Sequence, residues 1–67
     1  MFGQRIRELR ERKRWTQEEL AAKCHRHRTY IGGIERGERN PTLRVISDLA
    51  RALGVPIRDL FLERSVQ

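Results

Sequence analysis

The stretch from Thr16 to Gly37 constrains the fold most, because its spacing encodes two short helices separated by a tight turn. Thr16-Gln17-Glu18-Glu19 opens the first helix. The Thr16 hydroxyl can accept from the amide three residues on, while Glu19 reaches back to the Thr16 amide, which makes a capping box. Trp15 and Leu20 occupy the two staple positions around that cap. Leu20, Ala21 and Cys24 share one face, the helix breaks at His25-Arg26, and a second helix begins after His27. It carries Ile31 and Ile34 inward and stops at Gly37.

Two helices and a turn of that length, over about residues 17–36, match a helix-turn-helix, whose second helix can lie in the major groove. Around this unit the chain reads as further helices. The first runs from about Phe2 to Lys13, with Phe2, Ile6 and Leu9 inward and arginines over much of its other face. Gly37-Glu38-Arg39-Asn40-Pro41 reads as a loop, since proline disfavours helix in the residue before it. Thr42 can cap a fourth helix that carries Leu43, Ile46, Leu49, Ala50 and Leu53 inward and ends at Gly54. Val55-Pro56 begins a last short helix with Ile57, Leu60 and Phe61 as its apolar set, and Ser65-Val66-Gln67 is expected to fray. No strand-like alternation or internal repeat appears, so the expected fold is all-α, one compact five-helix domain over residues 1–67.

A chain of 67 residues buries only about 60% of its unfolded surface, so marginal stability alone and help from dimerisation are expected. Fifteen Lys and Arg against nine Asp and Glu leave a net charge of +6, which favours a polyanionic partner, nucleic acid first. Nine of the basic residues and four of the acidic ones lie in residues 1–28, and the remainder is almost balanced. Charge alone is a weak signal, because Arg7-Glu11 and Glu8-Arg12 at four-residue spacing equally describe a solvated helix face. The single cysteine excludes an internal disulfide, and no apolar run approaches the roughly 18 residues of a membrane span. With no secretory signal either, a cytoplasmic, reduced protein is expected.

With Ile31 and Ile34 inward, Arg28, Thr29, Gly32 and Gly33 turn toward the outer face of the second helix of the unit. Arg28 is the first candidate for a base contact, since its planar fork can bond O6 and N7 of guanine together, worth roughly 1–3 kcal/mol of discrimination. A phosphate clamp is its alternative. Thr29 can place its methyl on a thymine methyl or its hydroxyl on a phosphate. The Gly32-Gly33 pair costs about 1 kcal/mol per glycine against alanine in mid-helix. Close approach of the backbone to base edges or to a flanking side chain would account for it, as would a merely flexible helix. Gly33 therefore joins Arg28 and Thr29 as a candidate base contact. Tyr30, Arg36, Arg39 and Asn40 are candidates for the DNA backbone, with a core-edge ring and solvated charge as the alternatives. Gln17, in the first turn of its helix, is placed to meet a phosphate beside free backbone amides.

Five ordered blocks resemble the Cro and phage-repressor type helix-turn-helix proteins over about residues 6–61. They are Ile6-Arg7-Glu8-Leu9-Arg10, Thr16-Gln17-Glu18-Glu19-Leu20-Ala21, Tyr30-Ile31 with Ile34-Glu35-Arg36-Gly37, Asn40-Pro41-Thr42-Leu43, and Leu49-Ala50-Arg51-Ala52-Leu53-Gly54-Val55. Within that family, Arg28-Thr29-Tyr30-Ile31 with Gly33-Ile34-Glu35-Arg36 is most similar to the controller proteins of restriction-modification genes. The resemblance implies a lambda-repressor-like fold, a backbone contact by Gln17, and an Arg10–Glu35 ion pair tying the first helix to the reading helix, both residues structural rather than DNA contacts. Departures add charge: His25 and Arg14 stand where glycine is usual, and Arg26 where an apolar residue is usual. Histidine can adopt the left-handed backbone at some cost.

Cys24-His25-Arg26-His27 lacks a second ligand pair at zinc-site spacing, so no metal is expected. Cys24 reads as a small core group and His27 as a neighbour of the helix cap. No nucleophile–base pairing, carboxylate pair or phosphate-cradling glycine loop points to an enzyme or a cofactor. The expected function is a sequence-specific regulator of transcription that binds double-stranded DNA as a homodimer on a two-fold operator. Its dimer contacts are expected at Val55, Ile57, Phe61 and Leu62, and no small-molecule effector is expected. A phage-type repressor or antitoxin protein is the nearest alternative. A helical module for protein or RNA partners is the alternative from another class.

Overall fold

Apolar residues at helical spacing, each run closed by a cap, sort the chain into four α-helices and one 3-10 helix. The computed structural model describes residues 2–62. Along them lie α1 (Phe2–Arg12), α2 (Gln17–Cys24), α3 (Arg28–Glu35), α4 (Leu43–Leu53) and a 3-10 helix (Ile57–Phe61). No strand occurs among the described residues. The fifth helix expected from the sequence is thus a single tight 3-10 stretch, and of its apolar set only Leu60 is buried, while Ile57 and Phe61 stay about half exposed. The expected fraying of Ser65-Val66-Gln67 falls outside the described residues.

Ile6, Leu20, Ile31, Ile34, Leu49, Leu53 and Leu60 are almost fully enclosed, so every element contributes to one core. Each such side chain contributes about 1.5–3 kcal/mol on burial, the main stabilising term in a domain this small. Cys24 fills a core position as expected, with a thiol that burial holds above its ordinary pKa. One expectation for α4 needs correction. Leu43 is 84% exposed, and Val45 is buried in its place. Val45, Leu49 and Leu53 form a four-residue row against the core, whereas Leu43 stands in the first turn, where nothing covers it.

The caps explain where the helices stop and start. Thr16 accepts from the Glu19 amide at 3.0 Å and its own amide donates to Glu19 Oε1 at 2.7 Å, so the capping box is complete. Thr42 caps α4 through the Val45 amide at 3.2 Å. All four α-helices close in one way. A residue one or two places past each helix end turns left-handed, and an amide just after it returns to a carbonyl of the last turn: Trp15 to Arg10, Arg26 to Ala21, Glu38 to Gly33, Val55 to Ala50. Glycine supplies the left-handed residue twice, at Gly37 and Gly54; Arg14 (φ 61°) and His25 (φ 58°) supply it elsewhere. A left-handed non-glycine residue costs roughly 1–2 kcal/mol, part of which glycine returns as unfolded-chain entropy. Arg14→Gly and His25→Gly are each expected to stabilise the fold by about 0.5–1 kcal/mol. In thermal melts each should raise Tm by about 4 °C; a lowered Tm would contradict it.

Trp15 leads into α2 half-buried against the core. Its carbonyl accepts from Arg10 Nη1 at 2.7 Å, and its ring lies beneath two ammonium groups, Lys23 at 4.7 Å and Lys13 at 5.5 Å. Phe2 anchors the other end of α1, its ring 5.0 Å from that of Phe61.

Candidate nucleic-acid interface

The turn between α2 and α3 is short because both its ends are capped within it. His25 takes the left-handed conformation that closes α2, and two residues later His27, extended at φ −77° and ψ 146°, opens α3. The His27 ring accepts from the Thr29 amide through Nδ1 at 3.1 Å. A histidine thus does the work usual for Ser, Thr, Asp or Asn, so this residue is the cap itself and not merely its neighbour. The first turn of α3 then carries Arg28 and Thr29 exposed to solvent, while Ile31 and Ile34 anchor the opposite side. Tyr30 is half-buried at the edge of the core.

At the far end of α3 a carboxylate joins three helices. Glu35 receives Arg10 Nε at 2.7 Å and Arg10 Nη2 at 3.0 Å, a two-pronged bond between α1 and α3. The same Oε1 accepts from Gln17 Nε2 at 3.0 Å, which brings in α2. The side chains are 11% and 3% exposed for Arg10 and Glu35, so the pair is largely removed from water. Hydrogen bonding to Glu35 raises the Arg10 pKa further, so the guanidinium keeps its charge. Gln17 is therefore not a loose side chain reaching out: its amide is oriented by Glu35, eighteen residues away.

Gly32 and Gly33 correct an expectation. Helical spacing turns both toward the outer face, yet both are buried. The cause is that neighbours lie over the positions where their side chains would stand. A Cβ on Gly32 would meet Arg36 Nη1 at 3.0 Å and Gln17 Oε1 at 3.2 Å, and one on Gly33 would meet Arg39 Cδ at 3.0 Å. The glycines are thus a floor under flanking side chains, one of the accounts open from sequence.

Beyond α3, Arg36 pairs with Glu38 at 3.1 Å, which holds the Glu38 carboxyl below the usual carboxylate range. The Arg39 guanidinium lies 5.5 Å from the Tyr30 ring centroid. Asn40 is exposed. Arg36, Arg39 and Asn40 are thus exposed just beyond α3, with Arg39 reaching back to Tyr30 in its first turn. Val55, in contrast, packs partly into the core, whereas Ile57, Phe61 and Leu62 are 48%, 55% and 51% exposed.

Gly3 was not singled out from sequence. It is buried in the first turn of α1, and a Cβ there would overlap the Ile34 carbonyl oxygen and lie 2.9 Å from that of Glu35. The available signal was a glycine inside a helix with no turn to explain it. Among the described residues no cluster of three His, Cys, Asp or Glu side chains is placed to hold a metal ion. No described helix is long and apolar enough to cross a membrane.

Two short helices held at a capped turn, the second showing Arg28 and Thr29 to solvent, define a DNA-reading helix-turn-helix module. The chain belongs to the helix-turn-helix family, which matches residues 6–60, and it is a DNA-binding transcription regulator rather than an enzyme. Among its relatives is the control protein C.BamHI of Bacillus amyloliquefaciens, 48% identical over 61 residues, covering 90% of this chain and 75% of that one. The restriction-modification controller protein C.AhdI of Aeromonas hydrophila is 52% identical, with a TM-score of 0.88 over 90% of this chain and 91% of that one. SinR of Bacillus subtilis, the master regulator for biofilm formation solved in complex with DNA, has a TM-score of 0.86 at 32% identity. There the match covers 91% of this chain and 98% of that one.

Proposed function

We propose that residues 1–67 act as one sequence-specific DNA-binding domain, a homodimer on a two-fold symmetric operator that times expression of restriction-modification genes in the cytoplasm. The observation that carries this reading is the first turn of α3: Arg28 and Thr29 are exposed side by side on a helix held by its own cap and by the Glu35 network. The likeness to controller proteins at 48% and 52% identity supports the choice of target genes. Base contacts are assigned to Arg28 and Thr29, and backbone contacts to Gln17, Tyr30, Arg36, Arg39 and Asn40. Ile57, Phe61 and Leu62 offer the exposed apolar surface a second copy would cover, with Val55 beside them. Two half-sites would lie about one helical turn apart. Control would come from protein concentration and the number of dimers bound, without a small-molecule effector.

Selection of bound duplexes from a random DNA pool at fixed, near-physiological salt tests this reading. An inverted repeat is expected. Arg28→Ala should lower affinity for that repeat about tenfold or more while changing nonspecific binding far less. Equal recovery of all sequences would overturn the operator reading and leave a basic face that follows the phosphate backbone.

A further inference from the structure

We propose that Arg39 is a base-reading residue, laid by the Tyr30 ring across the space that Gly33 leaves empty, and that guanine is the base it reads. The inference rests on the operator reading above and changes the role of one side chain within it, from a phosphate contact to a specificity determinant.

Three independent placements converge on Arg39. Its backbone amide donates to the Gly33 carbonyl at 3.3 Å, next to the Glu38 amide on the same oxygen at 2.8 Å, so the start of the loop is tied to α3. Its aliphatic stem lies over Gly33: an ideal Cβ there would stand 3.0 Å from Arg39 Cδ, 3.1 Å from Cγ and 3.3 Å from Nε. Its guanidinium is 5.5 Å from the Tyr30 ring centroid. Gly33 positions the backbone and the stem, and Tyr30, one turn earlier on α3, positions the head group.

Position on the helix gives this placement its function. Gly33 is four residues after Thr29 and three after Tyr30, so it shares their side of α3, one turn further along. A side chain at this position would continue the row that Arg28 and Thr29 begin, and glycine supplies none. Arg39 fills that row from outside the helix. The two groups over Gly32 are engaged otherwise, Arg36 with Glu38 and Gln17 with Glu35. Arg39 is held by an aromatic face instead. A cation–π contact of this kind uses none of the guanidinium N–H groups, which are left to bond O6 and N7 of guanine in the major groove.

The test compares duplexes selected from a random pool, and salt dependence on the selected site, for the wild type, Arg39→Ala, Gly33→Ala, the double variant and Tyr30→Leu. Arg39→Ala is expected to flatten the preference at one position of each half-site, by about tenfold or more, and to leave the other positions intact. Gly33→Ala keeps every charge yet puts a methyl 3.0 Å from Arg39 Cδ, so the stem must shift and the preference at the same position should weaken. The double variant should do no more than Arg39→Ala alone. Tyr30→Leu should weaken that preference, and Tyr30→Phe, which retains the ring, should keep it.

Uniform weakening of all sequences by Arg39→Ala, with the salt slope reduced by about one, would overturn the inference in favour of a phosphate clamp, while leaving the operator reading standing. An intact preference in Gly33→Ala would overturn it as well. If the wild type itself enriches no sequence, both readings fall together.

Discussion

Glu35→Ala is expected to cost about 3–5 kcal/mol, because it leaves the Arg10 guanidinium in a largely water-free site without its carboxylate. It also releases Gln17, so α2 loses its tie to the other two helices. Small domains hold only about 5 kcal/mol in reserve. Urea titration should therefore find the variant only marginally folded without DNA, its midpoint far below that of the wild type. The double change Arg10→Met with Glu35→Leu removes both charges together and should recover much of the loss, since apolar replacement of a buried pair is often neutral. A single-variant loss under about 1 kcal/mol would show that water reaches the pair and that it contributes like a surface bridge.

Gly3→Ala tests a different kind of contact. The added methyl would overlap the Ile34 carbonyl oxygen and press on that of Glu35, and both are backbone atoms of α3 that no rotamer change can move aside. Overpacking of this kind costs typically 1–3 kcal/mol and occasionally more; here about 3 kcal/mol is expected, since α1 must retreat from α3 as a whole. On helix propensity alone alanine should instead help by up to about 1 kcal/mol. The sign of the measured change in urea midpoint therefore decides between close approach and propensity. If the variant is stabilised, α1 is not held as tightly as its contacts indicate.

These two residues also mark where a sequence is legible. Thr16 with Glu19, Thr42 with Val45, and Gly54 after Leu53 were readable because a cap is a conversation among residues three to five apart. The helix-turn-helix unit is assembled almost entirely from such local signals, which is why its two helices begin and end close to where they were expected. The Gly3 contact with α3 spans about thirty residues, and nothing near Gly3 announces it. Exposure of Gly32 and Gly33 failed for a related reason. Without a side chain of their own, their surroundings are decided by Arg36, Arg39 and Gln17, whose direction depends on the folded chain. Leu43 shares the correct face of α4 but lies past the end of what covers that face, and periodicity measures angle, not reach. The 3-10 form of the last element follows from its being only five residues long after Pro56, too short to gain much from α-helical bonding.

Trp15 is the one tryptophan of this chain. Two ammonium groups lie over its ring, and its carbonyl is bonded to the Arg10 that Glu35 holds. An indole in such a setting emits at a wavelength and intensity set by those charges. The junction of α1 and α2 thus carries its own optical probe, one that changes colour as the guanidinium lets go, with no dye attached and no residue replaced.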